Sequence, residues 1–286
     1  MIILHPENSE SSEVMLPELI APFGPLTIKE EFKKNKVHLV HYADRNIRPH
    51  NLGVWPAGSR FNDTFPPQPS KWHIAPPPDQ PLVLKCDNFT DAMEDERGIM
   101  MSASSIFPEG SKVRLPYLYG YGSINSARYL LQEYIEPSFR PLNQYIDDKQ
   151  QIPVEEAFEI GILIADLLTQ MHVHGMTHGD MCGYFPDEAS GMGHVLWNPD
   201  TKEMRIIDWG EGRSHRHINL EYKDGLYMHD HIGIRSTLRM LLGTTSQGAD
   251  IKDMVPVLTR YAKNGYGTAQ LAEDLRDLSV KLGFSI

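Results

Sequence analysis

Apolar and small residues recur at three-to-four spacing at Phe158, Gly161, Ile164, Ala165, Leu168 and Met171, which gives a helix one broad face to bury. Pro153 suits the first helical position, and Glu155 and Glu156 put negative charge in the first turn. Gly175 is a natural residue just past the C-terminal cap. Upstream, Pro81-Leu-Val-Leu-Lys-Cys86 reads as a short strand closed by Asp87-Asn88. Thr90 or Asp91 then caps a helix through Ala92, Met93, Glu96, Ile99 and Met100. Residues 128–135 read as a buried strand ended by Glu136-Pro-Ser138. Residues 194–197 and 204–207 read as two strands joined by the turn-rich Asn198-Pro-Asp-Thr-Lys202. Residues 230–242 form another helix, ended by Gly243, and two more helices flank Asn264-Gly-Tyr-Gly267.

The remaining pattern is less regular. Residues 7–13 are polar, and residues 48–81 are too dense in proline for a regular helix, so short strands and loops are expected there. The order is therefore a strand-and-loop N-terminal half, one helix, a hairpin, then a mainly helical C-terminal half. No internal repeat is visible.

Composition narrows the function classes. A chain of 286 residues suits one large domain or two lobes, and 41% hydrophobic content is enough for a core. A net charge of −11, spread along the chain, excludes a general nucleic-acid footprint. The two cysteines, Cys86 and Cys182, make no disulfide framework, so a reducing compartment is the expectation. No signal peptide is evident, and the longest apolar run is shorter than the roughly 20 residues a membrane span needs. A soluble protein is expected, cytoplasmic or secreted into a host cytosol as an effector.

The candidate chemistry lies in Gly175-Met-Thr-His178-Gly179-Asp180 and Ile206-Ile207-Asp208-Trp209-Gly210. These supply two separate carboxylates, each beside a short apolar run. A site that holds one or two Mg²⁺ ions and orients a hydroxyl toward a phosphate needs such a pair. Upstream, Val83-Leu84-Lys85 offers a lysine for phosphates, and Glu96 on the next helix offers a carboxylate to fix it; Glu94, about half a turn away, is the alternative. Lysines at strand ends and glutamates on helices are commonly solvated, so the weight falls on their occurring in this order.

In that order the pieces resemble the protein-kinase-like superfamily, which includes small-molecule phosphotransferases. The resemblance covers roughly residues 80–243 and implies an α+β, bilobal fold. The strand-rich N-lobe would be residues 1–131, the hinge 132–136 and the mainly helical C-lobe 137–286. It makes Lys85 the phosphate-contacting lysine and Glu96 its ion-pair partner. It makes Gln132-Glu133-Tyr134-Ile135 the hinge, with Glu133 and Ile135 holding adenine through backbone groups. Asp180 becomes the catalytic aspartate, Asp208 the Mg²⁺ ligand, and Asp230 the aspartate of the helix under the catalytic loop. His178 takes a structural role beneath the loop.

Three departures accompany the resemblance. Phe185 stands where the family has a metal-binding Asn. Counted from the strand instead, His194 occupies that place, after an inserted segment carrying Asp187 and Glu188. The missing ligand is thus expected from Asp187 or Glu188 with Mg²⁺, or from His194 with Mn²⁺. No clear glycine-rich loop precedes Lys85, since Gly53 and Gly58 are a poor substitute, and no Ala-Pro-Glu element follows Asp208.

The implied function is transfer of the γ-phosphate of ATP, with Mg²⁺ or alternatively Mn²⁺, to a hydroxyl acceptor, a protein Ser/Thr/Tyr slightly ahead of a small molecule. The alternatives are a catalytically inactive kinase fold used for binding, an aminoglycoside- or choline-type kinase, AMP transfer on an inverted nucleotide, and a metal-dependent hydrolase built from His172, His174, His178 and Asp180. His215, His217, His229 and His231 lack a tight ligand spacing.

Overall fold

The computed structural model describes residues 26–33, 37–42, 71–72, 76, 81–87, 90–108, 110–124, 127–149, 151–181, 193–209, 213–214, 223–245, 256–257, 267–284 and 286. The chain divides into two compact units, Met1–Met100 with Pro116–Ile135, and Met101–Leu115 with Glu136–Ile286. The architecture is α+β, as the sequence implies, with strands dominating the first unit and helices the second.

The first unit is built on a six-stranded sheet in the order β1-β2-β4-β7-β6-β3, antiparallel throughout. Its strands are β1 (Leu26–Lys33), β2 (Val37–Tyr42), β3 (Lys71–Trp72), β4 (Pro81–Asp87), β6 (Leu118–Ile124) and β7 (Ala127–Glu133). Strand β4 is central: Lys85 lies opposite Val37 on β2 and Leu130 on β7. Its alternation puts Leu82 and Leu84, both wholly buried, on one face and Val83 and Lys85 on the other. The strand runs two residues past Lys85, so that lysine is interior to β4 rather than at its end. Helix α1 (Thr90–Ile106) follows, burying Met93, Glu96, Ile99 and Met100.

The second unit is organised around α3 (Val154–Val173), whose buried residues include Phe158, Ile164, Leu168 and Met171. Pro153 is its N-cap, one position before the expected one, and supplies an extended entry. Gly175 adopts φ 71° just past the cap, a left-handed conformation that costs a residue with Cβ more than it costs glycine. Helices α2 (Leu142–Lys149), α4 (Lys223–Gly243) and α5 (Thr268–Lys281) complete the helical part. The α3–α4 packing is close: a Cβ added at Gly161 would meet Leu238 Cδ2 at 2.4 Å.

A four-stranded sheet, β5-β11-β10-β8, joins β5 (Val113–Arg114), β8 (Arg140–Pro141), β10 (Val195–Asn198) and β11 (Glu203–Ile206). Strands β10 and β11 form the expected hairpin. Asn198 Oδ1 accepts the N–H groups of Asp200 and Thr201 at 3.0 and 3.2 Å, which closes the turn. The short pair β9 (Met176–Thr177) and β12 (Arg213–Ser214) leads into and out of the loop chemistry.

Helix α4 begins seven residues before Asp230, so Asp230 is not at its start. Of the two helices expected after residue 250, the second is α5, and the first falls largely outside the described residues. The same holds for most of the proline-rich segment 48–81. Among the described residues, no helix is long and apolar enough to cross a membrane.

Candidate functional site

In the first unit, Lys85 Nζ lies 2.7 Å from Glu96 Oε2, with the lysine side chain 22% exposed and the glutamate 2%. The second glutamate oxygen, Oε1, accepts from Gln132 Nε2 at 3.2 Å. Both oxygens of a buried carboxylate are therefore used, which is what makes its burial tolerable. Of the two acids the sequence left open, Glu94 is engaged elsewhere: it pairs with Arg97 one turn on and with Arg128 of β7. Gln132 as the holder of Glu96 was not anticipated. The available signal was a lone amide directly after the buried pair Leu130-Leu131.

At the end of β7, Glu133 N–H donates to Tyr117 O at 2.8 Å, and the Glu133 carboxylate accepts from Tyr117 N–H at 3.0 Å. The Glu133 amide is thus committed within the sheet. Ile135 lies two residues beyond the end of the strand.

In the second unit, the loop after β9 is fixed from one buried carboxylate. Asp230 of α4, wholly buried, accepts the N–H groups of His178 and Gly179, each at 2.9 Å, and the Nε2–H of His172 at 2.9 Å. Burial alone would raise its pKa. The His172 hydrogen bond and charge, the nearby His178 and the Gly179 N–H outweigh that and hold it below the usual carboxylate range. Gly179 sits at φ 83°, which explains a glycine between His178 and Asp180.

His178 is also wholly buried. Its Nε2 lies 3.0 Å from Ile207 O, and its Nδ1 lies 3.3 Å from Asp180 N. A carbonyl only accepts and a backbone N–H only donates, so both contacts require one neutral tautomer, protonated at Nε2. Burial, against the pull of Asp230, pushes its pKa down to about 4. The Trp209 ring packs 4.4 Å from His178, and its Nε1–H donates to Ile206 O at 2.9 Å.

Asp208 adopts φ 63°, a left-handed conformation costing a non-glycine residue about 1–2 kcal/mol. Asp180 and Asp208 are 38% and 51% exposed at their side chains, and His194 lies between them. Its Nδ1 is 3.8 Å from Asp180 Oδ2 and its Nε2 is 3.9 Å from Asp208 Oδ2. Its ring stacks on that of His178 at 5.6 Å and 24°.

A lysine on a central strand is held by a glutamate of the following helix, and a His-Gly-Asp loop is anchored by a buried helix aspartate. The fold is protein-kinase-like. No family model and no curated protein matches the chain. Solved structures do match, among them the pseudokinase domain of BIR2, an immune regulator of the RLK/Pelle family. That match has a TM-score of 0.45 and 16% identity, covering 72% of this chain and 77% of that one.

Within this kinase-like frame the second unit brings Asp180, His194 and Asp208 together. Asp187 and Glu188 lie outside the described residues. Among the described residues, no group of three His, Cys, Asp or Glu side chains could hold an ion by itself. His172 and His178 are committed to Asp230 and Ile207, and His174 is exposed, so the hydrolase set is not assembled. The donors present fit a different kind of ion site. Mg²⁺ in phosphoryl-transfer enzymes takes one or two carboxylates and completes its shell with water and substrate phosphates. An exposed aspartate on a loop fixed at both neighbours, Ile207 and Trp209, suits that requirement.

Proposed function

We propose that the chain is an ATP-dependent phosphotransferase that moves the γ-phosphate to a hydroxyl, a protein Ser/Thr/Tyr ahead of a small molecule. The observation that best supports this is the Lys85–Glu96 pair at 2.7 Å, with Gln132 on the other carboxylate oxygen. A glutamate buried to 2% and held on both oxygens is a costly way to place one lysine unless that lysine has work to do. Lys85 contacts the phosphates, Ile135 N–H and the Glu133 backbone hold adenine, and Asp208 is the principal metal ligand. Asp180 orients the acceptor hydroxyl and takes its proton as the acceptor oxygen bonds to the γ-phosphorus. The bond from that phosphorus to the β–γ bridging oxygen breaks, and ADP leaves. A bound Mg²⁺ would neutralise charge on the transferring group. Such an enzyme belongs where ATP is abundant, in the cytosol of its own cell or of a host.

A second reading is a kinase fold that binds without transferring. His194, at the strand position where the family has Asn, favours it. One experiment separates the readings: incubation with γ-labelled and α-labelled ATP and either Mg²⁺ or Mn²⁺. Transfer of the γ label supports the proposal. Transfer of the α label would make the chain an AMP transferase, and nucleotide binding with neither label moved would make it a binding module.

A further inference from the structure

We infer that His194 links the two aspartates of the second unit into a carboxylate–imidazole–metal relay. In this relay Asp208 and His194 Nε2 share a divalent transition ion, and Asp180 holds the Nδ1–H on the far side of the ring. The inference rests on the phosphotransferase reading and goes beyond it in assigning the ion's chemical class and a second role to Asp180.

Each carboxylate is nearest to a different ring nitrogen, Asp180 to Nδ1 at 3.8 Å and Asp208 to Nε2 at 3.9 Å. An ion about 2.1 Å from both a nitrogen and an oxygen fits between atoms separated by up to roughly 4.2 Å. The Nε2–Asp208 gap is within that span. A single ion cannot be shared by all three side chains through one nitrogen, in keeping with the absence of a closed three-residue cluster among the described residues. The open positions are left for water and phosphate.

The Nδ1 side carries the second observation. His194 Nδ1 is buried and makes no hydrogen bond. Histidines that bind metals almost always donate the other ring N–H to a carboxylate, carbonyl or water, which fixes the tautomer. The group facing Nδ1 here is the Asp180 carboxylate, less than 1 Å beyond hydrogen-bond distance. The ring's orientation is set by its stack on His178, and its main chain is pinned because the His194 carbonyl accepts Ile207 N–H at 2.9 Å.

One imidazole nitrogen beside a carboxylate and phosphate oxygens suits a borderline ion better than Mg²⁺, which demands oxygen. Among the first-row transition ions, Mn²⁺ is the one that shares with Mg²⁺ the preference for carboxylate and water oxygens that phosphoryl transfer uses. The residue that orients the acceptor would then also orient the metal's imidazole.

The test uses the full-length protein, a non-hydrolysable ATP analogue and Mn²⁺ or Mg²⁺. It compares wild type with His194→Asn, His194→Ala and Asp180→Asn, each first checked by circular dichroism and thermal unfolding. Wild-type protein labelled with ¹⁵N-histidine should show a ¹⁵N coupling to Mn²⁺ in pulsed electron paramagnetic resonance, and both His194 variants should lose it. His194→Asn should shift preference from Mn²⁺ toward Mg²⁺. Asp180→Asn should weaken Mn²⁺ affinity about 10–100-fold with a smaller effect on Mg²⁺, as expected for loss of an outer partner. If folded wild-type protein binds Mg²⁺ with the analogue but shows no histidine coupling to Mn²⁺, the relay is overturned while the phosphotransferase reading stands. If it binds the analogue with neither ion, that reading falls and the relay with it.

Discussion

His178 donates from Nε2 to the carbonyl of Ile207, 3.0 Å away, and accepts the Asp180 N–H on Nδ1 at 3.3 Å. One neutral ring thereby joins the backbone at Asp180 to the residue before Asp208. The sequence placed this histidine beneath the loop as a structural residue; the structure adds what it connects.

Protonating His178 would turn Nδ1 into a donor facing another donor. Its folded pKa, about 4, lies below the ordinary value of 6.5, so the unfolded chain binds the proton first as pH falls. Stability from this group is fully present above about pH 6.5 and declines between there and about pH 4. For a wholly buried group the full loss is roughly 3 kcal/mol. Asp230, whose pKa is lowered, adds its own loss only at more acid pH. Urea unfolding at several pH values should show this slope in wild type and a shallower one in His178→Gln. Identical slopes would mean that His178 is not buried neutral.

Gly233 of α4 and Gly161 of α3 look alike by distance and should behave differently. A Cβ at Gly233 would lie 2.4–2.5 Å from Met181 Cβ, C and O, the residue after Asp180. The loop backbone would have to move. At Gly161 the near atom is Leu238 Cδ2 at 2.4 Å, the end of a side chain that can rotate. Gly233→Ala should cost about 1–3 kcal/mol by overpacking and also displace Asp180. Gly161→Ala should cost less, because the Leu238 side chain can turn away whereas the Met181 backbone cannot; alanine's better helix propensity offsets up to about 1 kcal/mol at both positions. Thermal unfolding and transfer rate, measured on both variants, decide the ordering.

Glu96→Gln should weaken nucleotide binding, while Glu94→Gln should leave it near wild type. Glu96 holds Lys85, whereas Glu94 holds Arg97 and Arg128. Calorimetry with an ATP analogue measures this directly. Equal losses in the two variants would remove the distinction between the acids.

Much of the frame was legible because it follows local periodicity. The apolar stripe of α3, the punctuation at Pro153 and Gly175, and the Asn198 turn between β10 and β11 are all local signals. Strands β1 and β2 were not individually legible. Strand β1, Leu-Thr-Ile-Lys-Glu-Glu-Phe-Lys, pairs with β2 through register shifts between Ile28 and Glu30 and between Glu31 and Lys33, which interrupt period-two alternation. The expected start of α4 at Asp230 followed the resemblance, whereas the helix begins at Lys223. Asp230 instead spends its carboxylate on His172, His178 and Gly179, a choice made by tertiary contact. The choice between Glu94 and Glu96 likewise needed Arg128, 34 residues from Glu94 on strand β7.

Asp180→Ala should remove transfer and spare both the fold and Mg²⁺-nucleotide binding. The side chain is 38% exposed, and the hydrogen bond from residue 180 to His178 comes from backbone N–H, which alanine retains. The fold should therefore survive the substitution, which thermal unfolding of the variant checks. The loss falls instead on the acceptor, because the carboxylate that orients the hydroxyl and takes its proton is gone. A positioned acid–base group contributes about 10²–10⁴-fold, so turnover should fall by that factor while affinity for a Mg²⁺-bound ATP analogue stays near wild type. Single-turnover transfer of γ-labelled ATP, with calorimetry on the same sample, separates the two quantities. A variant keeping more than about a tenth of wild-type transfer would remove Asp180 from the acid–base role. A variant losing Mg²⁺-nucleotide affinity to the same extent as Asp208→Ala would instead place Asp180 among the Mg²⁺ ligands.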